Sequence, residues 1–338
     1  MVKTEVSQRT KQTILSIGRR LGRVTPMNHN AIPKGWDIAD IPELEGKRFL
    51  ITGGTSGLGR ATAIELARHG GEVTITARNL EKGRAAVAEI GPAAFIQMDL
   101  ADLASVKKAA AEVSEPFDVV ILNAGVMAIP MNSTVDGFEM QMGTNHLGHF
   151  AFAGLIKNFI KDRLIVLSSQ AHRTGGFNSG SLEDIRNKCL GIGSYTPWDA
   201  YGTSKLANLL FMAHLERLRI TNNWSFISLA AHPGYSNTNL HSVGPLMRGN
   251  LLQERVMRVV NMAVAQSGER GSLPILCAAT YPGLIGASYI GPDGFLEMRG
   301  HPQLTRARAI AYDQTLAANL WQVSAELTGV EWGVSSHA

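Results

Sequence analysis

Tyr201 and Lys205 stand four residues apart in Tyr201-Gly202-Thr203-Ser204-Lys205, inside a stretch that reads as helix from Ala200 to Arg217. That spacing puts both side chains on one helical face. A tyrosine with an ordinary pKa near 10 exchanges protons poorly at neutral pH. A nearby ammonium favours its phenolate, as would a cationic cofactor ring, and together they would make it an acid/base group. A downward shift of ~3 units represents ~4 kcal/mol of differential interaction. Taken alone, YxxxK also fits a surface helix. Ser168-Ser169 close an apolar strand run and offer a hydroxyl to a carbonyl oxygen, while Asn145 stands near a helix start, where it could hold a water or a backbone carbonyl behind the lysine. Each of these three also fits a cap or turn residue.

A second constellation lies near the start of the chain's regular pattern. A strand run leads into Thr52-Gly53-Gly54-Thr55-Ser56-Gly57-Leu58-Gly59 and then into a helix. Glycines there let the backbone approach a pyrophosphate, and the helix N-terminus supplies free N–H groups and a positive dipole end. The spacing is TGxxxGxG, not the strict GxGxxG. The next strand ends Thr76-Ala77-Arg78-Asn79, where a dinucleotide fold would place an acid for a ribose 2′-hydroxyl. No carboxylate is present, and Arg78 offers a planar cation to a 2′-phosphate, which favours NADP(H) over NAD. Arg78 also fits a solvated arginine at a helix cap.

These residues need a scaffold, and the chain supplies the pattern of one. Short β-branched runs at Arg48–Thr52, Glu72–Thr76, Ala94–Met98, Asp118–Leu122, Leu164–Leu167, Ser225–Leu229 and Ala287–Ile290 alternate with helical stretches at Gly59–His69, Leu80–Glu89, Leu103–Glu112, Gly148–Ile160, Ala200–Arg217 and Gly271–Ala279. Unbroken apolar runs belong to parallel strands covered on both faces. The expectation is a single α/β domain, a doubly wound parallel sheet of about seven strands with helices on both faces and its ligand at the carboxyl ends of the strands. Residues 1–46 read as a basic arm, 47–300 as the catalytic domain with a substrate loop at about 235–265, and 301–338 as a helical tail.

The chain has 338 residues, 45% hydrophobic and 18% charged, against roughly a quarter charged in an average globular protein. That composition excludes a disordered chain. The net charge of +4 is local: residues 1–34 carry +6 and the remainder −2, so no basic footprint for nucleic acid is expected. Ile14, Leu15, Ile17, Leu21 and Val24 share a helical face beside Arg19, Arg20 and Arg23, a pattern open to peripheral membrane contact or to packing on the body. The arm has no apolar segment of secretory length, which predicts a cytoplasmic protein. The uncharged stretch Ser272 to Gly291 is punctuated by Pro274, Pro282, Gly283 and Gly286 and reads as buried helix, turn and core strand, not a membrane span. Cys189 and Cys277 match no zinc spacing. His146, His149, His172, His232 and His241 show no HxH or HExxH pattern, so no metal is expected, and His146 and His149 read as structural. Asp199 and Asp313 have no identifiable partner.

In order along residues 47–300, TGGTSGLG, Asn123-Ala124-Gly125, Asn145, Ser169, Tyr201, Lys205 and Pro233-Gly234 resemble the motifs of the short-chain dehydrogenase/reductase family, a Rossmann fold. RNLEKG, TNHLGHF, YGTSKLANLLF and HPGYSNTNL are similar to its retinol-dehydrogenase-like branch and, more distantly, to protochlorophyllide reductases. The resemblance implies a tetrad of Asn145, Ser169, Tyr201 and Lys205. Tyr201 would protonate a carbonyl oxygen and Ser169 would polarise it. Lys205 would lower the tyrosine pKa and bind the nicotinamide ribose, and Asn145 would hold a relay water. It also implies that Asp99 and Leu100 meet adenine, that Asn123 and Gly125 line the ribose side, and that Pro233, Gly234 and Thr238 lie near the carboxamide. Ser56 departs from the pattern, since many NADP-dependent members have a basic residue there. The 32-residue gap from Ser169 to Tyr201 is long, and suggests a lobe, His172 to Trp198, walling the substrate site.

Met and Leu side chains after Pro233 suggest a bulky hydrophobic carbonyl or alcohol as substrate, or a lid packed on the body. Three functional classes follow. The first is an NADP-dependent carbonyl reductase or alcohol dehydrogenase. The second is a C=C reductase of the protochlorophyllide type, and the third a non-catalytic NADP sensor or partner-binding module. Apolar helices near 145–160 and 200–217 suggest a homo-oligomer, although core faces give the same pattern.

Overall fold

The computed structural model describes residues 32–235 and 268–333. Eight strands form one sheet in the order β3-β2-β1-β4-β5-β6-β7-β8. They are β1 Arg48–Ile51, β2 Glu72–Ala77, β3 Ala93–Gln97, β4 Phe117–Leu122, β5 Ile160–Leu167, β6 Ile227–Ala231, β7 Tyr289–Pro292 and β8 Pro302–Leu304. Seven are parallel, as the unbroken apolar runs require, and β8 pairs antiparallel with β7. This eighth strand was not expected. It has three residues and opens on a proline, which has no N–H to give a ladder and so suits an edge. It also lies past residue 300 and fastens the expected tail to the sheet.

The helices are α1 Gly57–Arg68, α2 Leu80–Ile90, α3 Leu103–Ala111, α4 Gly148–Leu155, α5 Leu182–Leu190, α6 Pro197–Asn222, α7 Gly268–Thr280 and α8 Gln314–Thr328. Their starts are written in the sequence. Asn79, Asp102, Ser181, Thr196 and Asp313 each accept a backbone N–H of the first turn, and Pro197 occupies the position after Thr196. Asp313 and Asp199 thus have partners after all: Asp313 caps α8, and Asp199 pairs with Lys188 at 2.8 Å.

Strand side chains alternate between two cores. Leu50, Val120, Leu164 and Ala230 pack beneath α3, α4, α6 and α8, while Phe49, Ile51, Ile121, Ile165 and Leu229 pack beneath α1, α2 and α7. The uncharged stretch from Ser272 divides into α7, a turn and β7. Of the expected arm, Ile32, Trp36, Ile41 and Leu44 join the second core, and the amphipathic segment 14–24 lies outside the described residues. No helix among the described residues is long and apolar enough to cross a membrane.

The apolar faces that suggested subunit contacts are covered within the chain. Phe150 of α4 and Phe211 of α6 meet Trp321 of α8 and Trp332, with ring centroids 5.0 to 5.9 Å apart. Gly154 leaves room for Trp332, since a Cβ there would come within 2.7 Å of its Nε1. Lys157 caps the cluster, donating to the Trp332 carbonyl at 2.6 Å and lying 4.4 Å from the Trp224 ring. Trp332→Ala should therefore cost about 3–5 kcal/mol, read as a lower Tm and an earlier urea midpoint. An unchanged midpoint would mean that the C-terminal segment is not part of the folded core.

Candidate active site

The sheet order reverses between β1 and β4, and the crevice beyond their carboxyl ends is where a doubly wound sheet receives its ligand. The glycine loop occupies one wall. Gly53 and Gly57 have φ of +71° and +57°, which side chains resist, and a Cβ on Gly53 would lie 2.8 Å from the Ala124 Cβ. A Cβ on Gly59 would collide with the Asn123 amide. Ser56 is the N-cap of α1, but its side chain accepts no hydrogen bond. The first amides of a twelve-residue helix thus lack a side-chain cap and sit at the crevice, a cradle that fits a pyrophosphate.

Behind the loop, Thr52 and Asn123 join the two strands. The Thr52 hydroxyl accepts the amides of Asn123 at 2.9 Å and Ala124 at 3.0 Å. The Asn123 side chain returns its amide to the carbonyls of Thr52 at 2.8 Å and Gly53 at 3.3 Å. Asn123, expected on the ribose side, therefore spends its side-chain N–H groups on holding the loop. At the end of β2 the Arg78 guanidinium is exposed and pairs with no acid among the described residues. Asp99 is half-buried and accepts the Ala101 amide at 3.0 Å, and Leu100 beside it is buried.

The four expected catalytic residues converge from three elements. Tyr201 and Lys205 lie on α6, each 5% exposed. The Lys205 ammonium is 5.7 Å from the centre of the Tyr201 ring and donates to the Leu167 carbonyl at 3.2 Å. Ser169 follows β5 and caps a short 3-10 turn, Gln170–Arg173, and its hydroxyl is in hydrogen-bond contact with Tyr201. Asn145 sits inside a π-turn, Gly143–Leu147, that leads into α4. Its side chain binds backbone and a hydroxyl: Oδ1 accepts the Val126 amide at 2.8 Å, and Nδ2 donates to the Val126 carbonyl and the Ser204 hydroxyl, each at 2.9 Å. Ser204 in turn donates to the Tyr201 carbonyl at 2.7 Å. Gly125 lies between these groups, and a Cβ there would be 2.8 Å from Asn145 Oδ1 and 3.6 Å from Lys205 Nζ.

The electrostatics differ from the sequence argument in one respect. Burial pushes the Tyr201 phenol up to about 12, against the opposing Ser169 hydrogen bond, while burial brings Lys205 down to about 8. Desolvation outweighs that hydrogen bond, so Tyr201 is a phenol at neutral pH, suited to giving a proton.

Gly234 turns with φ of +68°, and its amide donates to His232 Nδ1 at 3.2 Å. The ring therefore carries its proton on Nε2 and donates to Glu297 Oε2 at 3.1 Å. Pro233 and Tyr235 adjoin this turn, and the expected contact Thr238 lies outside the described residues together with the loop 236–265. The lobe between Ser169 and Tyr201 meets the site through Trp198. Its helix α5 packs on α8, and Trp198 at its end packs edge-on against Tyr201 at 6.1 Å. Met127 and Ala128 complete an apolar patch beside the phenol. Among the described residues no group of three or more His, Cys, Asp or Glu is placed to hold a metal.

Two residues outside the expected set adjoin the site: the Thr52 hydroxyl lies 2.8 Å from His149 Nε2, and His149 Nδ1 lies 3.1 Å from the Asn145 carbonyl. Thr52 was read only as the first letter of the glycine motif, and His149 only as structural. The available signal was the i, i+4 spacing of Asn145 and His149, which puts them on one face.

The model of the short chain dehydrogenase family matches residues 47–180. Human retinol dehydrogenase 13 is 33% identical over 302 residues, covering 85% of this chain and 86% of that protein. A crystal structure of an uncharacterized protein from Mycobacterium paratuberculosis is 39% identical with a TM-score of 0.75, covering 88% of this chain and 99% of that one. A short chain dehydrogenase from Burkholderia cenocepacia, solved in complex with NADP, shares the fold at 22% identity and a TM-score of 0.55, over 73% of this chain and 96% of that one. The chain belongs to the short-chain dehydrogenase/reductase family. Within it the chain falls in the retinol-dehydrogenase-like branch, and it is an oxidoreductase acting on CH–OH or C=O groups.

Buried histidines give the site an acid limit. Burial lowers His146 to about 4 and His149 to about 3, from an ordinary value near 6.5. The unfolded chain takes up these protons below pH 6.5 while the folded chain refuses them. Their contribution to stability is whole above that pH and is lost as pH falls toward 4. The urea midpoint should drop between pH 6.5 and 5, above the range where ordinary carboxylates titrate; a flat midpoint there would contradict the burial of neutral imidazoles.

Proposed function

We propose that this protein is an NADP(H)-dependent carbonyl reductase or alcohol dehydrogenase for bulky hydrophobic substrates, with Tyr201 as general acid/base. The observation that carries the reading is the buried Tyr201–Lys205 pair beside Ser169, opening on an apolar patch at the dinucleotide end of the sheet. The α1 N-terminus and the glycine loop would hold the pyrophosphate, and the exposed Arg78 would hold a 2′-phosphate. Asp99 and Leu100 would meet the adenine, Lys205 the nicotinamide ribose, and Pro233, Gly234 and Thr238 the carboxamide. When bound, the cofactor supplies hydride.

This chain's residues do the rest. Ser169 orients the substrate oxygen, and Tyr201, neutral at physiological pH, delivers the proton to that oxygen as the carbonyl is reduced. In the oxidative direction the same phenolate oxygen takes the proton back, helped by the ammonium beneath it. Asn145 fixes Val126 against α6 and so keeps Gly125 open above Lys205. Trp198, Met127 and Ala128 present an apolar surface to the substrate, which agrees with a relative named as a retinol dehydrogenase.

The test is steady-state oxidation of NADPH and NADH against hydrophobic ketones and aldehydes. NADPH should be preferred, and Tyr201→Phe should abolish turnover while leaving NADPH binding. Reductive kcat should fall as pH rises past about 8, where Lys205 loses its proton. Equal use of NADH would overturn the role of Arg78, and turnover retained in Tyr201→Phe would overturn that of Tyr201.

A further inference from the structure

The Thr52 hydroxyl accepts two amides, from Asn123 and Ala124, so its oxygen has no capacity for a third donor. Its own proton is unspent, and the atom facing it at 2.8 Å is His149 Nε2. That nitrogen must then be bare. A neutral imidazole with a bare Nε2 carries its proton on Nδ1, and Nδ1 lies 3.1 Å from the main-chain carbonyl of Asn145, which can only accept. The heavy-atom positions thus fix the tautomer without reference to solution conditions.

We propose that His149 is a positioning residue: Nδ1-protonated, it ties the Asn145 main-chain carbonyl to Thr52 and so couples the glycine loop to the Tyr201–Lys205 pair. The inference rests on the proposed function for its catalytic consequence. The Asn145 side chain is already spent on Val126 and Ser204, so the ring holds the residue from its remaining side. The π-turn widens the helix at this point and pairs the Gly148 amide with the carbonyl five residues back at Gly143. His149, four residues on, reaches back to the Asn145 carbonyl inside that widened turn. All three residues are buried, at 0%, 1% and 0% exposure for Thr52, His149 and Asn145. The charged and titratable groups facing the ring are Lys205 and His146, and both oppose a second proton on it, as burial does. The tie therefore persists throughout the range in which the enzyme would work. A movement of the cofactor loop is transmitted through Thr52 and the ring to the turn that holds Val126 and Ser204.

Two substitutions divide the two ends of the tie. His149→Asn places an amide near the Nδ1 position and keeps a donor for Asn145, but cannot reach Thr52. His149→Gln reaches the Nε2 position and accepts from Thr52, but leaves the Asn145 carbonyl. His149→Asn should weaken NADPH binding, followed by fluorescence titration, about three- to tenfold, and by more than it lowers kcat with a hydrophobic ketone. His149→Gln should do the reverse, lowering kcat about three- to tenfold and by more than it weakens binding. Thr52→Val should reproduce the binding defect of His149→Asn. Equal losses in kcat and affinity for both variants, or a lower Tm with neither parameter changed, would overturn the proposal in favour of plain packing.

A readout that needs no cofactor decides the tie itself. Nitrogen-15 spectra of the His149 ring should show the Nδ1–H tautomer unchanged from pH 8 to pH 5, and Thr52→Val should perturb Nε2. A ring that titrates in that range, or that carries its proton on Nε2, overturns the proposal whatever the kinetics. A wild-type chain that fails to bind NADPH would overturn the proposed function, while the ring signals would still decide the tie.

Discussion

Burying the Lys205 ammonium removes hydration that only fixed acceptors can replace, and the acceptor this fold provides is the Leu167 carbonyl at the end of β5. That bond requires α6 to lie across the sheet with its fifth strand in register, and Ser168 strengthens the seat by donating to the Lys205 carbonyl at 2.9 Å. The same placement puts Tyr201 one turn earlier on the helix, beside Ser169. Gly125 must be a glycine because the Asn145 side-chain oxygen, which would lie 2.8 Å from a Cβ there, leaves it no space. The arrangement of the site therefore follows from how one buried cation is satisfied.

Polar groups carry the connection between strands. Thr52 and Asn123 fasten β1 to β4 at the point where the sheet order reverses, and Asn145 fastens the segment after β4 to α6. Each of these side chains uses its hydrogen-bonding capacity on backbone or on another buried group, which is the condition under which buried polar residues hold a single geometry. The apolar cores on either face of the sheet supply the burial, and these few bonds set the register of the two halves of the site.

Much of this was legible in the chain. Strand positions follow from unbroken β-branched runs, helix starts from Asn79, Asp102, Ser181, Thr196 and Asp313, and the site from glycine, tyrosine and lysine spacings. What escaped depends on contacts distant in sequence. The strand β8 is three residues long and has no periodicity to detect. The tyrosine shift has the opposite direction because burial, invisible in a spacing, outweighs the Ser169 hydrogen bond. His149 meets Thr52 across 97 residues, so only its local partner Asn145 left a trace in the pattern. The apolar faces of α4 and α6 suggested a second subunit, but Trp321 and Trp332, more than a hundred residues later, cover them.

The central claim is that hydride passes to a carbonyl carbon while Tyr201 supplies the proton to its oxygen. Its most direct test uses NADPH deuterated at the transferable position of nicotinamide C4, with a hydrophobic α,β-unsaturated aldehyde as acceptor. The account predicts a single deuterium on the carbinol carbon, and none in Tyr201→Phe. Deuterium on an alkene carbon, or label transfer undiminished in the variant, would contradict it.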